Sequence, residues 1–334
     1  MGVLLTVLML VVATLGATGL SDKMLGAIAN EELRGIRQGL AQTIRDPGEI
    51  ERVVQERREQ LTAEYGLDQP WFFRLPGLLW RVLSLDLGSA RTLKSFGGSA
   101  RVSDIVLERV PNTLILVTSA LTITAILGLA LGVKLATRVG TRTDRSVSYV
   151  AAISNALPSW WIGILLLLLL SFQLGLFPSG GLYSTPPPAT DLGRMVDLLW
   201  HAALPILTLV LVTVGGWTFS VRSMVLNVAH EDFVTVARAK GLSEGLVMRR
   251  HIIRAAAPPI VTSLILSLAN SVGGAILTES VFNWPGMGRL YFDAILALDE
   301  AVIIALTFLF TLIYVGARFI LEILYLYLDP RVQY

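Results

Sequence analysis

The sequence predicts an all-α polytopic membrane protein: six transmembrane helices, with a helical segment inserted outside the membrane between the first two. Three observations carry this. Of the 334 residues, 54% are hydrophobic and only 16% charged, against roughly 25% charged in a soluble domain. The apolar residues gather into runs of about 18 or more, the length that crosses a bilayer as a helix, and mean hydropathy is +0.66. The basic residues collect in alternate short loops, as the positive-inside rule requires of a multi-pass protein.

The expected spans are 3–20, 111–133, 146–171, 198–220, 257–278 and 301–325. Residues 3–20 have no basic stretch before them. They read as a retained helix and not as a cleaved signal, although Ala17 and Gly19 form a small-x-small site. Loop 134–145 carries Lys134, Arg138, Arg142 and Arg145 against Asp144 alone. Loop 222–256 carries Arg222, Arg238, Lys240, Arg249, Arg250 and Arg254 against three acids. Loop 172–197 has only Arg194, and loop 279–300 only Arg289. The first pair of loops therefore faces the cytoplasm and the second faces out. Counting back puts both termini in the cytoplasm. The organisation expected is a first helix over 1–21, an extracytoplasmic domain over 22–110, a membrane core over 111–328 and a cytoplasmic tail over 329–334.

Residues 21–110 are a different material, with 13 Lys/Arg balancing 13 Asp/Glu. Within them "DPGEIERVVQERREQLTAE" opens on a turn signal and continues as a charged helix. Its apolar edge is Ile50, Val53, Val54 and Leu61. "EYGLDQPW" ends that helix at Gly66 and Pro70. "DLGSARTLKSFGGSA" is a Gly/Ser-rich loop. The competing reading of the whole segment is a solvated loop without a core of its own.

Several functions are disfavoured. There is no G-x-x-x-x-G-K-[ST] to cradle ATP phosphates, and no H-E-x-x-H or G-x-S-x-G. His201, His230 and His251 stand singly, without metal-ligand spacing, and cysteine is absent. "GMGRLY" lacks the third glycine of a dinucleotide fingerprint. The central lengths of the second to fifth spans hold no ionisable residue. A self-sufficient secondary carrier would need such groups for its coupling ion, and a membrane-embedded enzyme would need a catalytic pair at that depth. In the sixth span Arg318 and Glu322 lie one turn apart and read as a cytoplasmic anchor. The driving energy is expected to come from another chain.

One polar stretch invites that chain. "EDFVTVARAKGLSEGLVMRRHIIRAAAPP", from position 231, interrupts two apolar runs on the cytoplasmic side. Residues 223–240 have helical composition, and Gly241 is placed as a C-cap. Ser243 is placed to cap a second helix over 244–256, ending before Pro258. Phe233, Val236 and Ala237 form an apolar edge, while Ala239 and Gly241 leave the bend bare for close approach. Such a knob suits a groove on another protein. An amphipathic helix resting on the anionic leaflet fits the same pattern.

The chain resembles the inner permease subunits of the dipeptide/oligopeptide/nickel class of ABC importers. Beyond the loop just quoted, "GLDQPW", "LDLGSA", "LERVPNTLILV", "LPSWWIGILL", "LFPSGG", "ESVFNWPGMGRL" and "YLDPRVQY" resemble segments of that family along most of the chain. Two features depart from its usual pattern: no basic residues precede the first helix, and the outer segment is longer than in many members. The resemblance implies a type I ABC importer permease fold in the cell membrane. It also implies a second homologous permease, two ATP-binding subunits and an extracytoplasmic substrate-binding protein, with no cofactor, metal or nucleic acid. The quoted loop then corresponds to the family's "EAA" coupling loop, with Glu231, Ala237, Ala239 and Gly241 at its hallmark positions. Phe233, Arg238, Lys240, Leu242 and Ser243 complete the expected ATPase contact. Candidates to line the path are Trp160, Trp161, Trp217, Ser267, Asn270 and Ser271, the polar or aromatic residues of otherwise apolar spans. The tryptophans could equally be packing or interfacial anchors, and Asn270 a helix–helix hydrogen bond. Peptides, oligosaccharides and nickel chelates all fall within the range of substrates implied.

Overall fold

The computed structural model describes residues 20–43, 46–64 and 86–328, with Thr6, Met9, Leu10, Phe72, Phe73, Trp80 and Ser84. The expected first span, the expected helix stop at Gly66 and Pro70, and the tail 329–334 lie almost wholly outside these residues. Among the described residues the regular structure is helical, with one isolated antiparallel bridge between Ser89 and Arg101. The chain forms two compact units. One comprises Met1–Ile105 with Asp293–Leu312, and the other Val106–Phe292 with Ile313–Tyr334.

In the first unit, α1 (Leu20–Thr43) and α2 (Pro47–Glu64) form an antiparallel hairpin. The Asp46 side chain accepts the Gly48 N–H at 2.9 Å, and Pro47 occupies the first helical position, where a missing N–H costs nothing. Ala29 and Leu33 pack with Val54 and Leu61. Ion pairs Arg37–Glu51 and Arg57–Glu32 border this seam. Val53 does not share the buried edge: it stands 38% exposed, because positions 50, 54 and 61 define a helical stripe that 53 does not join. The loop 86–101 is fastened by Asp299, whose Oδ2 accepts the N–H groups of Arg91 (2.7 Å), Thr92 (2.9 Å) and Leu93 (3.4 Å).

The second unit holds most of α3 (Val102–Ala136), then α4 (Arg142–Ala156) and α5 (Ser159–Leu166), which runs on as a π-helical turn over Leu167–Gln173. Next come α6 (Asp191–Ala229), α7 (Asp232–Ala239), α8 (Ile253–Gly274) and α9 (Ile276–Val281). Finally, α10 (Met287–Ala297) and α11 (Glu300–Leu328) each have residues in both units. Helices covering Val102–Ala136, Asp191–Ala229, Glu244–Ser271 and Glu300–Leu324 are long and apolar enough to cross a membrane.

The third expected span, 146–171, is not one helix. α4 and α5 meet at 97°. Pro158 explains the break: the residue before a proline is driven from helical to extended backbone, and Leu157 sits at φ −90°, ψ 129°. The second expected span starts nine residues earlier than Pro111, which α3 carries inside it. At 35 residues α3 is about 52 Å long, well beyond the roughly 30 Å hydrocarbon layer.

Two of the quoted sequence motifs dock on each other. Asn112 donates through Nδ2 to the Pro285 carbonyl at 2.8 Å, and the fully buried Trp284 donates its indole N–H to the Asn112 carbonyl at 3.0 Å. Glu279, also fully buried, takes the Arg289 N–H at 2.8 Å and so caps the first turn of α10 from a distance. Gly286 gives that carboxyl group its room, since a Cβ there would lie 2.4 Å from it. α4 and α6 also approach closely. A Cβ on Gly215 would lie 2.6 Å from Ala151 Cα, and one on Gly216 2.9 Å from Asn155 Oδ1. Small residues permit such contact between apolar helices.

Candidate coupling loop and translocation cavity

The polar loop begins later than its composition suggests. Residues 223–240 are not one helix: α6 continues to Ala229, the chain turns at His230, and α7 starts after Glu231. Glu231 holds the N-cap position at φ −72°, ψ 147°, without a side-chain capping bond. Val234 and Ala237 point inward and pack with Val221 and Val225 of α6 and with Val247, Ile252, Ala256 and Ile260. Ala237 therefore seats the helix and does not belong to its outer edge; positions 234 and 237 are one turn apart on the inner face. The outer face carries Phe233 and Val236, 44% and 52% exposed. Glu231, Arg238, Ala239 and Lys240 are exposed around it.

Gly241 adopts φ +76° with open space where a Cβ would sit. Its N–H caps the Arg238 carbonyl at 2.9 Å, the left-handed helix stop that glycine permits at least cost. Arg238 crosses the bend to Glu244, Nε to Oε1 at 3.0 Å. Leu242 tucks against the apolar cluster. Ser243 stands at the next N-cap with extended backbone, and its carbonyl accepts the Leu246 and Val247 N–H groups. Its hydroxyl makes no capping bond.

The helix after Ser243 does not stop before Pro258. A short turn over Glu244–Leu246 leads through a π-helical turn, Val247–Ile252, straight into α8, with Pro258 and Pro259 inside it. Ile252, Ala256 and Ile260 recur every four residues and are all buried in one cluster. Only a continuous helix keeps that stripe on one face. Its burial outweighs the two backbone bonds the prolines forfeit.

Within the same unit a cavity of about 470 Å³ opens between α3, α6 and α8, at the α4–α5 break. Three of the six expected lining residues surround it: Trp217, Ser267 and Ser271. Trp160, Trp161 and Asn270 do not. The two tryptophans are 40% and 42% exposed, and Asn270 is exposed as well, as expected of groups facing lipid or another chain. Asn155, Ser159, Thr124, Thr213 and Ser220 also line the cavity, beyond the six expected residues. Thr213, Gly216, Trp217 and Ser220 fall at i, i+3, i+4 and i+7, a small and polar stripe on a greasy helix that spacing alone could have revealed.

No lining side chain is ionisable. Three of the hydroxyls donate internally: Thr213 to the Leu209 carbonyl at 2.7 Å, Ser220 to Gly216 at 2.9 Å and Ser271 to Leu268 at 3.0 Å. Each keeps lone pairs to accept from a solute. Trp217 packs where Gly128 leaves room for the indole. The wall thus offers weak, neutral polar contacts and no strong trap.

The family described as "Binding-protein-dependent transport system inner membrane component" matches residues 107–334. The oligopeptide transport system permease protein AppB of Bacillus subtilis is 31% identical over 283 residues, covering 85% of this chain and 87% of that protein. A putative peptide transport system permease of Brucella abortus is 34% identical over 279 residues, covering 84% and 85%. The dipeptide transport system permease protein DppB of Escherichia coli is 30% identical over 296 residues, covering 84% and 86%. Among solved structures, an inward-facing MetNI methionine ABC transporter superposes with a TM-score of 0.50 at 20% identity, over 65% of this chain and 95% of that one. A second crystal form gives 0.51 at 18%. At such identity the likeness is one of fold. The chain belongs to the family of binding-protein-dependent transport system inner membrane components, as the membrane-spanning permease of an ABC importer.

Proposed function

We propose that this permease imports peptides, lines half of their path with the cavity described above, and is driven by ATPase subunits gripping α7 and the Gly241 bend. The observation that carries the reading is the α7 outer face. Phe233 and Val236 stand exposed beside a bare, left-handed glycine, while Val234 and Ala237 anchor the helix beneath. A helix fixed on one side and apolar on the other is built to seat in a groove. The neutral cavity wall suits peptides, whose amides need donors and acceptors but no fixed counter-charge. The names of the AppB and DppB relatives support the same substrate class.

In this reading a second, homologous permease completes the path, two ATP-binding subunits dock from the cytoplasm, and a binding protein delivers solute outside. Segment 22–110 is an extracytoplasmic domain and loop 222–257 the coupling loop. Residues Glu231, Phe233, Ala237, Arg238, Ala239, Lys240, Gly241, Leu242 and Ser243 form or support the contact.

The test is uptake of radiolabelled trialanine and ATP hydrolysis in proteoliposomes holding the complete transporter. Gly241→Arg is expected to abolish both substrate-stimulated ATP hydrolysis and uptake while the chain still inserts, because each span satisfies its own backbone in lipid. If the loop only rested on anionic lipid, an added cation would be neutral or would strengthen attachment. Wild-type coupling in Gly241→Arg rejects the ATPase contact. Identifying the ligand held by the copurified binding protein tests the substrate class, and an oligosaccharide or a metal chelate there rejects peptides.

A further inference from the structure

We infer that Asp144 and Arg222 form a clasp that carries movement of α7 into the wall of the cavity. The inference rests on the reading of α7 as the ATPase contact. Arg222 reaches Asp144 with two parallel bonds, Nε to Oδ1 at 2.8 Å and a terminal nitrogen to Oδ2 at 2.9 Å. The side chains are 16% and 7% exposed, so this pair is not a loose surface contact. Asp144 Oδ2 also accepts the Gly140 N–H at 3.0 Å, and the Asp144 N–H donates to Thr141 Oγ1 at 3.2 Å. A bidentate guanidinium–carboxylate pair fixes orientation as well as distance.

What the clasp joins gives it its role. Arg222 lies on α6 between Val221 and Val225, and those two residues hold α7 through Val234 and Ala237. Asp144 lies in the first turn of α4. The far end of α4 carries Asn155, and just past the 97° break stands Ser159; both line the cavity. One turn of α6 therefore grips α7 by apolar packing and α4 by charge. The contact of Gly215 with Ala151 keeps α4 and α6 together along their length. The result is a continuous chain of packed, oriented groups from α7 to the cavity, of the kind that transmits rigid-body motion. A pair serving only to stabilise would be a poor choice, since a well-packed apolar pair does that at least as well.

The experiment uses the complete transporter in proteoliposomes, reading trialanine moved per ATP hydrolysed and the yield of assembled complex. Asp144→Asn and Arg222→Gln are expected to assemble and hydrolyse ATP within twofold of wild type, but to move at least tenfold less trialanine per ATP. The exchange Asp144→Arg with Arg222→Asp is expected to restore at least a third of that ratio. Single variants with a normal ratio overturn the clasp, and so does an assembled exchange variant no better than the singles. Should a single variant not assemble, the neutral pair Asp144→Asn with Arg222→Gln is read instead, because it buries no unpaired charge. Loss of transport per ATP there supports the clasp, and a normal ratio overturns it. Gly241→Arg in the same preparation separates the two claims. Its normal transport overturns the reading of α7 and with it the route, whereas normal transport by Asp144→Asn beside a dead Gly241→Arg overturns the clasp alone.

Discussion

The Thr113 hydroxyl donates to Glu279 Oε1 at 2.8 Å and accepts the Met287 N–H at 2.7 Å, so one hydroxyl ties α3 to both a buried carboxyl group and the start of α10. Burial raises the Glu279 pKa from 4.5 to about 7, against bonds from Arg289, Thr113 and Gly288 that lower it. The sign follows from linkage. Between those values the folded chain holds a proton that the unfolded chain has released. The stabilisation is complete below the unfolded value and is lost as pH rises through about 7.

Thermal unfolding in detergent is therefore expected to shift downward between pH 5 and pH 8, and Glu279→Gln to flatten that dependence. Glu279→Ala should cost about 3 kcal/mol or more, since it strands the buried donors of Thr113 and the α10 amides without a partner. A wild-type pH profile in Glu279→Gln would show that another group titrates.

Asp299 predicts a local effect. Its Oδ2 also accepts the Thr92 hydroxyl at 3.2 Å, besides the three consecutive amides of Arg91, Thr92 and Leu93. Removing a buried acceptor exposes donors that fold back poorly, so Asp299→Ala should release loop 86–101 while the α1–α2 hairpin, with its own core, stays folded. Hydrogen exchange is expected to quicken at least tenfold at amides 91–93 and to be unchanged at 29–33. Equal acceleration in both places would mean that Asp299 supports the unit as a whole.

The legible parts of this protein are those written in local chemistry. Apolar run length located α6 and α11, and Asp46-Pro47-Gly48 announced the start of α2. Gly241 was readable as a left-handed stop because few other residues tolerate that backbone. What resisted reading depends on contacts distant in sequence. The break at Pro158 hides within an uncharged run that length alone counts as one span. Ala237 looks like surface until Val221 and Ile252 are seen beneath it. Pro258 and Pro259 read as a stop, yet burial of Ile252, Ala256 and Ile260 overrides them. Asp144 and Arg222 are 78 positions apart, and nothing local marks them as partners. In sequence they are two charges in two loops expected to face the cytoplasm, useful only for orientation.

The bend between α4 and α5 makes the topology testable. If the pair crosses the membrane, Val139 and Ala189 lie on opposite faces; if it enters and returns, they share one. Basic residues argue for crossing: four Lys/Arg in 134–145 against Arg194 alone in 172–197. The native chain has no cysteine, so single introduced cysteines report without background. Val139, Ala189 and Ser243 are exposed. In intact cells an impermeant maleimide is expected to label Ala189→Cys and to spare Val139→Cys and Ser243→Cys until the membrane is opened. α6 runs from Asp191 to Ala229 as one helix, about 58 Å at 1.5 Å per residue, so Ala189 and Ser243 should differ whichever way the bent pair lies. Labelling of Val139→Cys together with Ala189→Cys would make the bent pair re-entrant and put the Asp144 end of α4 outside. Arg222, clasped to it, would then have to lie there too. Labelling of Ser243→Cys with Ala189→Cys spared would invert the whole orientation and remove the Gly241 bend from reach of any cytoplasmic ATPase.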